Sequence, residues 1–205
     1  MKVAGLILAG GRSRRMGGGD KALRRLGGRT LLGHVIERLR PQVATLVINA
    51  NSDPARFAGF GLPVVADSVG EFAGPLAGVL AGLDWVAINR PNLSHVASVA
   101  TDAPFLPQDL VSRLAAALEE ADADLACAAS GGRAHPVVGL WPVRLKEDLR
   151  GALRDDGVRK VDLWTARHKL VTVPFADRPV DPFFNVNRPA DLDVAAALLA
   201  ATETA

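Results

Sequence analysis

The sequence contains a single cysteine, no tyrosine and no long apolar run. One cysteine excludes an internal disulfide and every zinc site built on paired cysteines. Cys127 lies in an apolar stretch typical of a buried strand, so we expect it to pack as a small apolar side chain. A membrane helix needs about 20 consecutive apolar residues, so no membrane partner is predicted. Lys2 precedes a short apolar run without a signal-peptide cleavage region, and we therefore expect a cytoplasmic protein.

The chain also lacks a large net charge, but its positive residues are concentrated in one segment near the N-terminus. The formal net charge is +2, yet seven of the 24 Lys and Arg residues fall between Arg12 and Arg29. Such a local concentration favours a small polyanionic ligand over a nucleic-acid surface. No row of aromatic residues interleaves these cations, so base stacking has little support and no nucleic-acid partner is expected.

Several catalytic signatures are absent, namely a Ser-His-Asp set, a Cys-His pair, an H-E-x-x-H motif, a Walker A loop and a dinucleotide fingerprint. The chain has instead a glycine-rich and cation-rich stretch, residues 10–21, directly after the apolar run Val3–Ala9. Glycines allow backbone N–H groups to approach anionic oxygens, while Arg and Lys neutralise phosphate charge. The stretch predicts nucleotide chemistry. If the attacking group is already an anionic phosphate oxygen, no general base is needed, and catalysis depends on positioning and charge neutralisation, which fits the absence of those signatures.

Strand-like and helix-like stretches alternate along the chain. The apolar runs are Val3–Ala9, Val43–Ala50, Pro63–Ala66, His95–Ala100, Leu125–Ala129, Pro136–Trp141 and Lys169–Pro174. The stretches with helical periodicity or start signals are Thr30–Arg40, Pro75–Arg90, Pro107–Ala121, Val143–Asp155 and Pro189–Ala201. This alternation predicts a mostly parallel sheet covered on both faces, with ligands beyond the carboxyl ends of its strands. At 205 residues, we expect one domain spanning residues 1–205.

Polar side chains stand at the carboxyl ends of three predicted strands. Asp102 follows His95–Ala100 and is suited to Mg²⁺, although a cap on the turn before the next proline is the alternative. Asp67 closes another strand and either pairs with the nucleotide or with Lys21, or serves the turn alone. Asn49 is still within its strand, where its amide suits a base edge or a ribose.

Three polar residues beside prolines predict a pocket for a second substrate. His135 precedes a proline, and ligand contact and a structural hydrogen bond are equally open for it. Asn185 and Asn187 are two residues apart, so they project to one side of an extended segment. We favour ligand contact for this pair.

These residues, taken in order, resemble the molybdenum cofactor guanylyltransferases (MobA). The motifs that carry the resemblance are Leu8-Ala9-Gly10-Gly11, Arg15-Met16-Gly17-Gly18-Gly19-Asp20-Lys21, Asn49-Ala50-Asn51, Asp67-Ser68, Gly74-Pro75-Leu76-Ala77-Gly78, Asp102-Ala103-Pro104, His135-Pro136 and Asn185-Val186-Asn187. The resemblance implies a Rossmann-like three-layer α/β/α fold of the nucleotide-diphospho-sugar transferase type. It also implies the reaction: with Mg²⁺, GMP passes from GTP to the terminal phosphate of molybdopterin cofactor, giving the guanine dinucleotide cofactor and pyrophosphate.

The resemblance also implies a role for each matching position. Contacts with GTP are expected at Leu8, Ala9, Gly10, Gly11, Lys21, Asn49, Asp67 and Asp102. Lys21 would hold phosphate and Asp102 would bind the metal, and we add Arg15 to them as a third catalytic, charge-neutralising residue. Contacts with the acceptor are expected at Gly78, His135, Asn185 and Asn187.

Two other functions compete with this interpretation. A cytidylyltransferase acting on the same cofactor would share the phosphate and metal positions and differ only in the residues that bind the base. A non-catalytic nucleotide-binding partner protein would have no need of both Lys21 and Asp102, so their presence argues against it. The expected partners are GTP, molybdopterin cofactor and, transiently, other cofactor-biosynthesis proteins or molybdoenzyme chaperones.

Overall fold

The computed structural model describes residues 1–10, 21–69 and 74–203. Gly11 and Arg15 lie outside these ranges. The strands of the described part are β1 (Val3–Leu8), β2 (Arg25–Leu26), β3 (Arg29–Thr30), β4 (Thr45–Asn49), β5 (Val64–Val65), β6 (His95–Ala100), β7 (Leu125–Ser130), β8 (Arg133–Pro142) and β9 (Leu170–Phe175). Its α-helices are α1 (Leu31–Leu39), α2 (Pro75–Asn89), α3 (Leu110–Glu120), α4 (Lys146–Arg154), α5 (Val161–Thr165) and α6 (Pro189–Glu203).

Seven of the strands form one sheet in the order β5-β4-β1-β6-β8-β7-β9. Strand β8 runs antiparallel to both of its neighbours, and the other four pairs are parallel. Strands β2 and β3 form a separate two-stranded hairpin. The predicted α/β fold with a mostly parallel sheet is confirmed.

Helices cover both faces of this sheet. Along β1, Ile7 packs in a cluster with Leu32 of α1 and Leu114 of α3, whereas Leu6 packs in a second cluster with Leu80 of α2. Successive residues of a strand point to opposite faces, so one apolar strand supplies both cores. The arrangement gives the three layers that the resemblance implies. None of the helices in the described ranges is long and apolar enough to cross a membrane.

Two helix starts show where the sequence signals were sufficient and where they were not. Thr30 caps α1, because its Oγ1 accepts a hydrogen bond from the Gly33 N–H at 3.0 Å, as predicted. The predicted start of the third helix at Pro107 was wrong, because α3 begins at Leu110. Gln42 decides this boundary: its Nε2 donates to the Pro107 carbonyl and its Oε1 accepts from the Val111 N–H.

The short strand β5 was predicted, as the run Pro63–Ala66, but several other short elements were missed. Among them are the β2–β3 hairpin, the 3₁₀ turn Pro54–Phe60 and α5. Trp164 in α5 is fully buried, and its ring stacks on that of Trp141 with centroids 5.8 Å apart. Such elements depend on distant contacts, which a local sequence pattern does not contain.

Candidate functional site

The candidate site lies where β4, β1 and β6 end side by side. Strand β1 pairs with both neighbours as far as Leu8. Just beyond it, the Ala9 N–H donates to the Asn49 carbonyl at 2.8 Å, and the Thr101 N–H donates to the Leu8 carbonyl at 3.3 Å. Leu8, Ala9 and Gly10 therefore leave the sheet between the ends of its two neighbouring strands, which is where a parallel α/β sheet binds its ligands.

Two amides and one carboxylate form a network on the β4 side. Asn49 Nδ2 donates to Asp67 Oδ1 at 2.9 Å and to the Val65 carbonyl at 3.2 Å. Asn51 Nδ2 donates to Asp67 Oδ2 at 2.8 Å, and its Oδ1 accepts from the Asp67 N–H at 2.8 Å. Asp67 thus fixes both amides. Of the two pairings considered from the sequence, the one with Lys21 is not present within the described ranges. Both Nδ2 hydrogens of Asn49 are used within the protein, and the oxygen of this buried side chain faces Gly78 of α2.

Gly78 of α2 packs directly on this network. A Cβ at this position would lie 2.3 Å from Asn49 Oδ1 and 2.7 Å from Leu8 Cδ2, so a larger residue would displace the Asn49 amide. Gly78 lies beside the predicted nucleotide positions and not along the cavity described below. Acceptor contact at Gly78 stays a prediction, while close packing supplies an independent reason for the glycine.

Lys21 joins segments that are distant in sequence. Its Nζ donates to Asp102 Oδ2 and to Asn187 Oδ1, each at 2.7 Å. The Val186 N–H donates to the Asp102 carbonyl at 2.9 Å, and Asp191 Oδ2 accepts from the Asn187 N–H at 2.7 Å. Asp102, which follows β6 as predicted, is thereby held between Lys21 and the segment before α6.

The second carboxylate oxygen of Asp102 has a different environment. Oδ1 is buried and accepts no hydrogen bond from the described part of the chain. Leaving a buried acceptor unpaired typically costs about 1–3 kcal/mol, and more when it is charged. Such an atom suits an incoming cation, and Mg²⁺ in particular takes oxygen ligands, usually one or two carboxylates completed by water and phosphate oxygens. The residue present therefore fits a divalent metal.

A cavity of about 240 Å³ lies beside Asp102. Residues with polar or aromatic side chains on its walls are Asp102, Arg133, His135, Phe183 and Asn185. Strand β8 pairs with β6 only from Pro142 back to Gly139, and its register with β7 then jumps from Gly139 to His135. The intervening residues form a bulge, and they line the cavity together with the end of β6. The reversed strand therefore creates the space next to the carboxylate.

His135 is held at the cavity wall by its neighbours. Its Nε2 lies 2.8 Å from Ser130 Oγ, and the Ser130 hydroxyl donates to Asp181 Oδ1 at 2.8 Å. Its ring packs on Phe183 with centroids 4.7 Å apart. Burial lowers the pKa of His135 below its ordinary value, which favours the neutral ring, although the Asp181 charge opposes this shift.

The predicted acceptor residues other than Gly78 lie in two places. His135 and Asn185 line the cavity, whereas Asn187 contacts Lys21. Sequence reasoning missed Arg133, Ser130 and Asp181. The sequence did contain a signal for Arg133 and Ser130, namely the pair Gly131-Gly132 between them. In the structure these glycines adopt φ of 53° and 74° and form the two-residue turn that joins β7 to β8. A Gly-Gly pair between two apolar runs predicts such a hairpin, which places Ser130 opposite Arg133. No local signal marks Asp181.

Comparisons with known proteins agree with this architecture. The model of the MobA-like NTP transferase domain family matches residues 5–170. A molybdenum cofactor guanylyltransferase of Bradyrhizobium sp. (strain ORS 278) is 62% identical over 198 residues, which are 97% of this chain and 93% of that protein. One of Rhodopseudomonas palustris (strain BisB5) is 59% identical over 187 residues, 91% and 89% of the two chains.

Solved structures show the same fold. The crystal structure of molybdopterin-guanine dinucleotide biosynthesis protein A from Archaeoglobus fulgidus superposes with a TM-score of 0.76 at 25% identity, covering 98% of this chain and 100% of that one. A 4-diphosphocytidyl-2C-methyl-D-erythritol synthase from Anaerococcus prevotii superposes with a TM-score of 0.74 at 13% identity, covering 97% and 96%, and this likeness concerns the fold alone. With relatives this similar over nearly its whole length, the chain belongs to the MobA-like NTP transferase family and, within it, to the molybdenum cofactor guanylyltransferases.

Proposed function

We propose that this nucleotidyltransferase moves GMP from GTP to the terminal phosphate of molybdopterin cofactor and releases pyrophosphate. The observation that carries the proposal is the position of Asp102. It has one oxygen paired with Lys21 and one buried oxygen without a partner among the described residues, and it stands between the Asn49 network and the cavity. A metal-assisted transfer needs such a carboxylate between its two substrates. The guanylyltransferase names of the relatives supply the two substrates.

The nucleotide belongs on the β4 side of Asp102 in this proposal. Backbone groups at Leu8, Ala9 and Gly10 lie at the strand ends, and Lys21 supplies positive charge for the phosphates. Asn49 stays a proposed contributor to nucleotide binding, and because its side-chain oxygen packs against Gly78, it would act mainly by shaping the end of β4. Asp67 would act mainly by holding the amides of Asn49 and Asn51. Gly11 and Arg15 stay predicted contributors to phosphate binding.

The acceptor belongs in the cavity on the β8 side. Arg133 on its wall supplies positive charge for the terminal phosphate that attacks, and His135, Asn185 and Phe183 offer polar and apolar surface for the rest of the molecule. The attacking phosphate would then reach the GTP α-phosphate past Asp102. Because that phosphate is already anionic, in-line positioning by these side chains replaces a general base.

Family members of this kind work with a divalent metal, and a protein of the same fold from Mycobacterium tuberculosis was crystallised as a manganese complex. We propose Mg²⁺ for this chain. Asp102 would hold it through Oδ1, with phosphate oxygens and water completing the coordination. When bound, the metal neutralises charge that develops on the phosphates. Lys21 would leave Asp102, Asn187 or both to contact phosphate.

The context of this activity follows from the same proposal. We propose that residues 1–205 act as one nucleotidyltransferase domain, which the continuous seven-stranded sheet supports. A reaction that consumes GTP is expected in the cytoplasm. Cofactor-biosynthesis proteins or molybdoenzyme chaperones are the proposed transient partners, because the product must be handed on to other proteins.

Calorimetric titration with GTP, CTP and ATP, each with and without Mg²⁺, tests the nucleotide half of the proposal. Selective binding of GTP is expected. A preference for CTP would instead indicate the cytidylyltransferase. A transfer assay with molybdopterin and labelled GTP tests the other half, and release of pyrophosphate without labelled dinucleotide would contradict the assigned acceptor.

A further inference from the structure

Three hydrogen-bonded side chains form a row that begins at the cavity wall with His135. Ser130 is at its centre, between His135 Nε2 and Asp181 Oδ1, each 2.8 Å from the serine oxygen. Ser130 is only 5% exposed, so water competes little for these bonds. The same Asp181 oxygen also accepts from the Phe183 N–H at 2.9 Å.

The direction of these bonds determines which imidazole nitrogen carries a proton. A carboxylate only accepts, so the single hydroxyl proton of Ser130 goes to Asp181. Ser130 Oγ can then serve His135 only as an acceptor, which places a proton on Nε2. The neutral ring, which burial favours by lowering the pKa of His135, keeps Nδ1 without a proton.

The position of the ring is fixed as well. Phe183 is 2% exposed and packs on the imidazole, and its backbone is bound to the carboxylate that orients Ser130. Nδ1 has no partner among the described residues. His135 therefore presents one oriented acceptor on a residue that lines the cavity.

We propose that Ser130 and Asp181 are positioning residues that hold His135 as its neutral Nε2–H tautomer, so that Nδ1 accepts a hydrogen bond from an N–H group of the acceptor's ring system. This inference rests on the proposed function, since it takes the cavity as the acceptor subsite. A pterin ring carries N–H donors, whereas an ionised phosphate offers only acceptors and requires cations. His135 thus binds the ring end of the acceptor in preference to its phosphate end.

The first test uses the free protein and needs no substrate. Nitrogen-15 NMR of the imidazoles, with a His135→Gln variant to assign the signal among the four histidines, reports which nitrogen is protonated. A protonated Nε2 whose proton exchanges slowly is expected in the wild type, and rapid exchange is expected in Ser130→Ala. A protonated Nδ1 in the neutral wild-type ring would overturn the assignment, as would equal exchange in the two proteins.

The second test separates positioning from folding. Ser130→Ala and Asp181→Ala should each raise the KM for the acceptor about fivefold to tenfold, the loss of about one hydrogen bond, with the KM for GTP unchanged. Asp181→Asn keeps an oxygen that can accept from Ser130 and Phe183, so it should restore most of the acceptor KM. Thr165→Ala removes a buried hydroxyl away from the cavity and is the matched stability control.

The outcomes of the kinetic test are distinct. An unchanged acceptor KM in Ser130→Ala, with the wild type active, overturns the positioning role alone. An equal rise in both KM values also overturns it, because it indicates a general structural defect. A wild-type protein that binds GTP but transfers no GMP to molybdopterin overturns the proposed function, and the inference falls with it.

Discussion

The two sides of Asp102 differ in how their polar groups are satisfied. On the β4 side, Asn49, Asn51 and Asp67 saturate most of one another's hydrogen bonds, and Gly78 packs closely against Asn49. On the β8 side there is a cavity. The first side is built from parallel strand ends and the second from a strand that reverses direction. In the proposed function, the preorganised surface receives the nucleotide, and the reversed strand and its bulge create the space proposed for the acceptor.

Removing the charge of Asp102, which lies between the two sides, should have the largest effect on turnover. Asp102→Asn keeps the size of the side chain but loses the oxygen charge that suits a metal, so turnover should fall about a thousandfold. The fold should persist, because the lost ion pair is partly exposed. Turnover with Mg²⁺ and the melting temperature check this. Asp109→Asn, at an exposed carboxylate before α3, is the control, and full activity in Asp102→Asn would contradict the metal assignment.

Lys21→Ala should weaken GTP binding, and this effect should be smaller than the loss of turnover in Asp102→Asn. The variant loses a charge-assisted contact to phosphate, so GTP affinity should fall about tenfold to a hundredfold. Titration with GTP measures it, and Lys2→Ala, at an exposed lysine outside β1, is the control. An unchanged affinity would exclude a phosphate contact for Lys21.

Two glycines of α2 offer a matched pair that tests only the nucleotide side. A Cβ at Gly78 would lie 2.3 Å from Asn49 Oδ1, and one at Gly82 would lie 2.6 Å from Leu6 Cδ2 in the core. Alanine at either position should lower the free energy of unfolding by about 1–3 kcal/mol through overpacking. Only Gly78→Ala should also weaken GTP binding, about fivefold, because only it displaces Asn49. Equal GTP affinities in the two variants would show that the amide position is unimportant.

The smallest expected effect is on the pH dependence of the free energy of unfolding, through His135 on the acceptor side. Burial is the main cause that lowers the pKa of His135 below its ordinary 6.5, so the unfolded chain binds a proton more readily than the folded one. The contribution of this residue to the free energy of unfolding is complete above about pH 6.5 and is lost as the pH falls below that value. Urea unfolding at pH 7 and pH 5 should show a smaller difference in His135→Gln than in the wild type. A larger difference in the variant would contradict the lowered pKa of His135 in the folded protein.

How far the sequence predicted the site depends on where each residue stands. Asp102 and Asn49 lie at the ends of apolar strands, so their positions followed from the alternation of strands and helices. The contacts of Lys21 with Asp102 and Asn187 join residues 81 and 166 positions apart, and local patterns contain no such information. The sequence pointed to a second pocket at His135 and Asn185, which both line the cavity. The shape of the cavity, however, depends on a register change between β7 and β8 that local patterns do not contain.

The sequence by itself determined the layered α/β architecture, the family and the edge of the sheet that carries the site, because hydrophobic periodicity and strand-end motifs are local properties. Only the tertiary structure decided that Asp67 binds two amides, that Gly78 packs on Asn49 and that Ser130 and Asp181 orient His135. Each of these depends on the distance between groups that are far apart in the chain. Such distances are set by how the strands pair and how the helices pack on them.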